Sequence, residues 1–95
     1  MKIRYFGAAK AAAGVEEETL AGLEPGADGV AEGAPLSELL EFLAARHTSP
    51  PEGAPPLKSV ISRSTFLVNG FAARDRSVPL AGGDTVDILP PFAGG

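Results

Sequence analysis

The chain closes on Pro90-Pro91-Phe92-Ala93-Gly94-Gly95, six residues of which four are Pro or Gly. Proline cannot donate to a ladder, and glycine is costly to fix in a regular element, so this stretch suits neither helix nor sheet. One reading is a frayed end, since termini are often poorly ordered. The other is a working tail. Phe92, Ala93, Gly94 and Gly95 follow the proline pair, and four extended residues span about 13 Å. That length carries a terminal carboxylate into another protein's pocket. The glycines thread a narrow channel, and Phe92 is an apolar anchor for its mouth. A free carboxylate is a poor electrophile. Joined to AMP it becomes a mixed anhydride, which sulfur can attack to leave a thiocarboxylate on Gly95. This is covalent carrier chemistry.

The other reactive side chains point away from a self-contained enzyme. The sequence has no cysteine, which removes disulfides, thiolate metal sites and a cysteine nucleophile together. His47 is the sole histidine, so no histidine-rich metal site can form. Its place at the end of a helical pattern suits an interaction with the last helix carbonyls better than a role as base. No Gly-x-Ser-x-Gly elbow is present, and a nucleophilic triad has little to draw on. Glu16, Glu17 and Glu18 alternate across a strand, so they make no paired acid–base site and read as a solvated or partner-facing surface. Gly82-Gly83-Asp84 has turn chemistry, and no phosphate-binding loop ends in Gly-Lys-Ser/Thr. The ATP site and the sulfur donor that Gly95 requires must therefore belong to partners.

Ninety-five residues with 44% hydrophobic content fit one domain with one core. A net charge of −4 argues against a general nucleic-acid role. No apolar run is long enough to span a membrane, and the start lacks a secretory signal, so the expected location is cytoplasmic.

Hydrophobic periodicity supplies the elements that would hold the tail. In "MKIRYF", Ile3 and Tyr5 share one face while Lys2, Arg4 and Phe6 share the other, the mark of a half-buried strand. "GAAKAAAG" predicts a short helical turn at 8–13, and a second strand over about 16–20 would form a hairpin with the first. A punctuated loop follows, with at most a brief pairing near Val30. "PLSELLEFLAARH" predicts the main helix: Pro35 suits its first turn, and Leu36, Leu39, Leu40 and Leu43 form one stripe, with Phe42 at its edge. "TSPPEGAPP" is a stiff connector, and Leu57, Val60 and Ile61 space as a short helix. "TFLVNG" is a strand closed by the Asn69-Gly70 turn, a weak edge strand lies before Pro79, and "TVDILP" is the last strand.

One main helix covers one face of such a sheet and leaves the other open. The first and last strands are expected to pair in parallel with that helix in the crossover, which is an α+β, β-grasp arrangement of about five strands. The expected division is a folded domain over 1–90 and a flexible tail over 91–95. Ile3, Tyr5, Leu39, Leu43, Phe66, Val68, Val86 and Ile88 should form the core.

At this point the sequence resembles the ubiquitin-like sulfur-carrier family, which includes the thiamine carrier, and within it the small subunit of molybdopterin synthase. The resemblance rests on "IRYFGAAKAAAG", "PLSELLEFL", "FLVNG" and, most specifically, "PLAGGDTVDILPPFAGG". It implies that an E1-like adenylating enzyme activates Gly95 with ATP and that a sulfurtransferase system supplies sulfur. It also implies that the synthase large subunit receives the thiocarboxylate to build the dithiolene of molybdopterin. No cofactor or metal bound by this chain is implied, and no catalysis by this chain alone. The family often has Arg-Glu where this chain has Lys10-Ala11, and residues 22–33 and 48–56 are longer than the resemblance requires. Carriage of sulfur to thiamine, cysteine or tRNA, and ubiquitin-like attachment to lysines, stand as alternatives, as does a β-grasp interaction module with an inert tail.

Strand parity adds a binding surface. Phe6, Leu67 and Leu89 are large apolar residues on strand faces otherwise polar, and they are expected to gather on the open side of the sheet as a partner-binding patch.

Overall fold

The computed structural model describes residues 1–20, 33–48 and 50–91. Both the pairing expected near Val30 and the tail residues Phe92, Ala93, Gly94 and Gly95 lie outside the described residues. The elements run β1 (Lys2–Tyr5), α1 (Ala8–Ala13), β2 (Glu17–Thr19), α2 (Leu36–Arg46), α3 (Leu57–Ser62), β3 (Thr65–Val68), β4 (Phe71–Ala72) and β5 (Thr85–Leu89). They build a five-stranded sheet of order β2-β1-β5-β3-β4. The central pair, β1 and β5, is parallel, in register from Lys2 with Thr85 to Tyr5 with Ile88. The other three pairings are antiparallel. This is the expected β-grasp.

Two-residue alternation sorts the strands into two faces. Ile3, Tyr5, Phe66, Val86 and Ile88 turn inward and are almost fully buried. They meet Leu36, Leu39, Leu40 and Leu43 of α2, all buried, so the leucine stripe is the core face of the main helix. Phe42 is half-buried at the stripe's edge. Val68 packs against the core without being fully enclosed, because it lies in β3 next to the hairpin tip. Leu57, Val60 and Ile61 of α3 are buried too, so α3 extends the helical layer beside α2. Leu20 and Leu80 also join the core, from positions without periodicity to announce them.

The ends of α2 show how backbone groups are satisfied. Pro35 stands just before the helix in extended conformation (φ −70°, ψ 154°) rather than inside its first turn. No side chain caps this end. Instead the N–H groups of Leu36 and Ser37 donate to the carbonyls of Val78 and Arg76, at 2.9 and 2.8 Å. The segment between β4 and β5 thus wraps the helix start, and Pro35 and Pro79 form an isolated bridge there. The β3–β4 hairpin turns on Asn69 (φ 53°) and Gly70 (φ 85°), the two left-handed residues that a tight two-residue loop requires. Asn69 tolerates this conformation by bonding through its side chain. Its Nδ2 donates to Asp84 Oδ1 at 2.9 Å, and its Oδ1 accepts from the Thr85 N–H at 3.0 Å.

Among the described residues, no helix is long and apolar enough to cross a membrane, and no cluster of three metal-ligating side chains occurs.

Candidate functional site: the open sheet face and the exit of the last strand

The helices cover one side of the sheet, and register fixes what the other side displays. Arg4 of β1 stands beside Asp87 of β5, and Asp87 beside Leu67 of β3. Leu89 of β5 stands beside Thr65 in the next row. Phe6 follows β1 on the parity of Arg4, held by its N–H donating to the Ile88 carbonyl at 3.2 Å. The three apolar residues expected to gather on the open face do so. Phe6 is 40% exposed, and Leu67 and Leu89 are half-buried.

An ion pair occupies the middle of this face. Arg4 donates from Nε to Asp87 Oδ1 at 2.6 Å and from Nη2 to Oδ2 at 2.7 Å, a two-pronged contact that fixes both groups. Hydrogen bonding to Asp87, reinforced by its charge, raises the Arg4 pKa still further above its usual value. Asp87 itself is buried at 4% exposure, although it faces the open side, because Arg4 lies over it. The guanidinium is also 5.9 Å from the Phe6 ring centroid, within cation–π range. The centre of the face is therefore polar in composition but neutral in net charge, and its flanks are apolar. Such a face suits burial against another protein better than exposed separate charges do.

The polypeptide leaves this face at one edge. After Leu89 come Pro90 and Pro91, and Pro90 packs close to Gly7: a Cβ on Gly7 would lie 3.6 Å from Pro90 Cγ. Gly7 has φ 53°, a backbone conformation that favours glycine, while a side chain there would meet Pro90 only at ordinary contact distance. Pro90, which follows Leu89 and packs beside the residue after Phe6, therefore lies at the rim of the open face.

On the covered side, two expectations require correction. His47 does not turn its ring to the last carbonyls of α2. Its Nε2 lies 3.2 Å from Glu18 Oε1 and 3.4 Å from the Tyr5 hydroxyl, with the Tyr5 and His47 rings edge-to-face. Glu18, read as part of an acidic surface, instead points inward beside Ile3. It accepts a hydrogen bond from the Tyr5 hydroxyl at 2.9 Å and lies 3.5 Å from Arg46 Nε. Glu17, one residue earlier, stays on the open face near Lys2. Burial, then the hydrogen bond to Glu18 and its charge, push the Tyr5 pKa well up. Parity puts Glu17 and Glu18 on opposite faces, but no local pattern marks which carboxylate is enclosed. This cluster ties β1, β2 and the end of α2 together, and its groups are engaged with one another.

A mixed sheet with its parallel outer strands brought to the centre, one main crossover helix and an open face at whose rim the last strand exits defines a ubiquitin-like β-grasp protein. The chain belongs to the ThiS family, whose model matches residues 3–95, and so to the β-grasp sulfur carriers. Solved structures agree on the fold. SAMP1 from Haloferax volcanii superposes with a TM-score of 0.73 at 23% identity, covering 100% of this chain and 98% of that one. A putative molybdopterin converting factor, subunit 1, from Pyrococcus furiosus gives 0.64 at 26% identity over 96% of this chain and 95% of that one. A complex of subunits 1 and 2 of molybdopterin-converting factor from Helicobacter pylori gives 0.56 at 22% identity, over 99% and 96%. No curated protein matches the chain significantly.

Proposed function

We propose that this chain is the sulfur-donating small subunit of a molybdopterin synthase, with residues 1–90 as its folded domain and 91–95 as its tail. An E1-like enzyme joins the Gly95 carboxylate to AMP from ATP, releasing pyrophosphate. The outer sulfur of a sulfurtransferase persulfide then displaces AMP, and a thiol cleaves the resulting acyl disulfide, forming a disulfide with the donor sulfur and leaving the thiocarboxylate on Gly95. The large subunit binds the open face through Phe6, Leu67 and Leu89, while Phe92, Ala93, Gly94 and Gly95 enter its active site. There the sulfur passes to cyclic pyranopterin monophosphate during dithiolene formation. The observation that carries this reading is the end of β5: Pro90, packed beside Gly7, lies at the rim of an apolar-flanked face. The family match reaching residue 95 and the likeness to the Pyrococcus furiosus subunit support it.

A second reading, a ubiquitin-like modifier joined to lysines through Gly95, is favoured by the likeness to SAMP1, described for Methanosarcina acetivorans as a small archaeal modifier protein. Reconstitution separates the two. The thiocarboxylated chain, mixed with a molybdopterin synthase large subunit and cyclic pyranopterin monophosphate, is expected to yield the dithiolene product and return a Gly95 carboxylate. Absence of product, together with isopeptide conjugates in cells, would favour the modifier.

A further inference from the structure

The short helix α1 buries Ala9 and Ala12 and leaves Ala8, Ala11 and the following Val15 exposed. Val15, at 41% exposure, is one of three large apolar side chains open to solvent among the described residues. The proline-rich connector after α2 stands across from them. Its Pro51 closes on the end of α1, where a Cβ on Gly14 would lie 3.4 Å from Pro51 Cγ. Between α1 and residues 51–55 runs a groove of about 670 Å³. Ala8, Ala11 and Val15 form one wall, and Pro51, Ala54 and Pro55 form the other. The proline rings restrict the backbone of that second wall before anything binds.

One end of this groove is lined by Gly7, and Gly7 is where the end of β5 arrives, with Pro90 packed beside it. Pro91 is the last described residue, and four residues follow it in the sequence. Phe92 is the one large apolar side chain among those four. From Pro90 to Phe92 the chain advances about 7 Å when extended, while α1 rises about 1.5 Å per residue, so the Phe92 ring is within reach of Ala8 and Ala11. The charged residues of the lining are Lys10, Glu16 and Glu52, one cation against two carboxylates. Neither the Gly95 carboxylate nor an acidic partner therefore gains a net attraction there. A second hollow beside Gly7, of about 360 Å³, is lined by Arg4, Lys10, Glu16 and Glu17 along with Tyr5 and Phe6, and its charged walls suit an apolar ring less well.

The geometry points to the groove between α1 and the proline-rich connector as a resting seat for the chain's own Phe92. The ring packs on Ala8 and Ala11 against the proline wall. Covalent continuity selects this occupant: the groove starts at the residue that Pro90 touches, and the tail brings an aromatic ring two positions later. A tether this short holds the ring at a local concentration in the millimolar range, so a contact too weak to retain a separate peptide is populated within one chain. The hold is burial of apolar surface, so salt does not release it. A partner that takes up the tail must first lift the ring, and its apparent affinity is reduced by the fraction of chains with the ring free. The inference stands whether or not Gly95 carries sulfur, so its test is separate from that of the carrier reading.

The chain has no tryptophan, so Phe92→Trp gives a full-length protein with a single indole. Its fluorescence is expected to be blue-shifted relative to the same chain unfolded in urea, and equally so at low and high salt. Adding Ala11→Glu, which puts a charge in the middle of the groove, should return the emission to the unfolded position. Ala11 is an exposed helix residue and glutamate is a good helix former, so the fold is retained, as circular dichroism would verify. A second measurement uses the natural residue: in the isotopically labelled full chain, the Phe92 ring should show NOEs to the Ala8 and Ala11 methyls, and Phe92→Ala should shift resonances of α1 and residues 51–55. Emission at the unfolded position in the folded Phe92→Trp chain would overturn the proposal. So would a blue shift that Ala11→Glu leaves in place, or NOEs from Phe92 to Phe6, Leu67 or Leu89 instead. A blue shift lost on dilution would assign the ring to a second copy of the chain and overturn it as well.

Discussion

Glu17 and Glu18 are neighbours with the same side chain, and replacing each by alanine should have very different effects. Glu18→Ala removes the acceptor of the Tyr5 hydroxyl and the carboxylate beside His47 and Arg46. A hydrogen bond to a charged group contributes about 1.5–3 kcal/mol, and the low end applies because Tyr5 and His47 still have each other at 3.4 Å. The expected cost is roughly 2 kcal/mol, equivalent to a Tm fall of about 8–16 °C in a domain of this size. Glu17→Ala removes a long contact to Lys2, at 3.6 Å, in which both side chains are about half exposed. That loss should stay within about 0.5 kcal/mol. Urea unfolding of both variants gives the comparison, provided the slope with denaturant is unchanged so that midpoints report stability. Equal losses for the two would refute the assignment of Glu18 to the inner face and with it the β1–β2 register.

Two further outcomes follow from the geometry. Leu67→Arg places a charge between the apolar flanks of the open face and should weaken binding to a molybdopterin synthase large subunit by about thirtyfold, as for a central interface residue, with an unchanged unfolding midpoint. Unchanged binding, measured by calorimetry, would remove Leu67 from the interface. Tyr5 is the only tyrosine and no tryptophan is present, so tyrosinate absorbance reports this residue alone. Its pKa is raised in the folded state by burial and by Glu18. The folded state then holds the proton more tightly than the unfolded state, so this contribution to stability is full below the unfolded value of about 10 and is lost as pH rises beyond it. Tyrosinate should therefore appear together with unfolding, as followed by circular dichroism. Its appearance at about pH 10 in a folded chain would contradict the enclosure of the hydroxyl.

Those features governed by local periodicity were legible in the sequence. The stripe at Leu36, Leu39, Leu40 and Leu43 marks one face of a helix wherever it is read, and it became the core face of α2. Asn69-Gly70 specifies a left-handed turn from two residues, and alternation in β1, β3 and β5 placed Phe6, Leu67 and Leu89 on one side. Features that depend on distant partners were not legible. The enclosure of Glu18 needs His47, 29 residues away, and β2 has no apolar residue between Glu17 and Thr19 to announce its inner face. Arg4 and Asp87 are separated by 83 positions and meet only because β1 and β5 pair in parallel.

Loading of Gly95 is the step on which the functional account turns, and intact mass spectrometry reads it directly. The chain is incubated with an E1-like adenylating enzyme, ATP, a persulfide sulfur source and a thiol that reductively cleaves the acyl disulfide first formed, then fragmented to locate any change. Exchange of one oxygen for one sulfur at Gly95, absent when ATP is withheld and absent after deletion of Gly94 and Gly95, is the predicted result. An unchanged mass with an active adenylating enzyme, or sulfur located at any other residue, would contradict it.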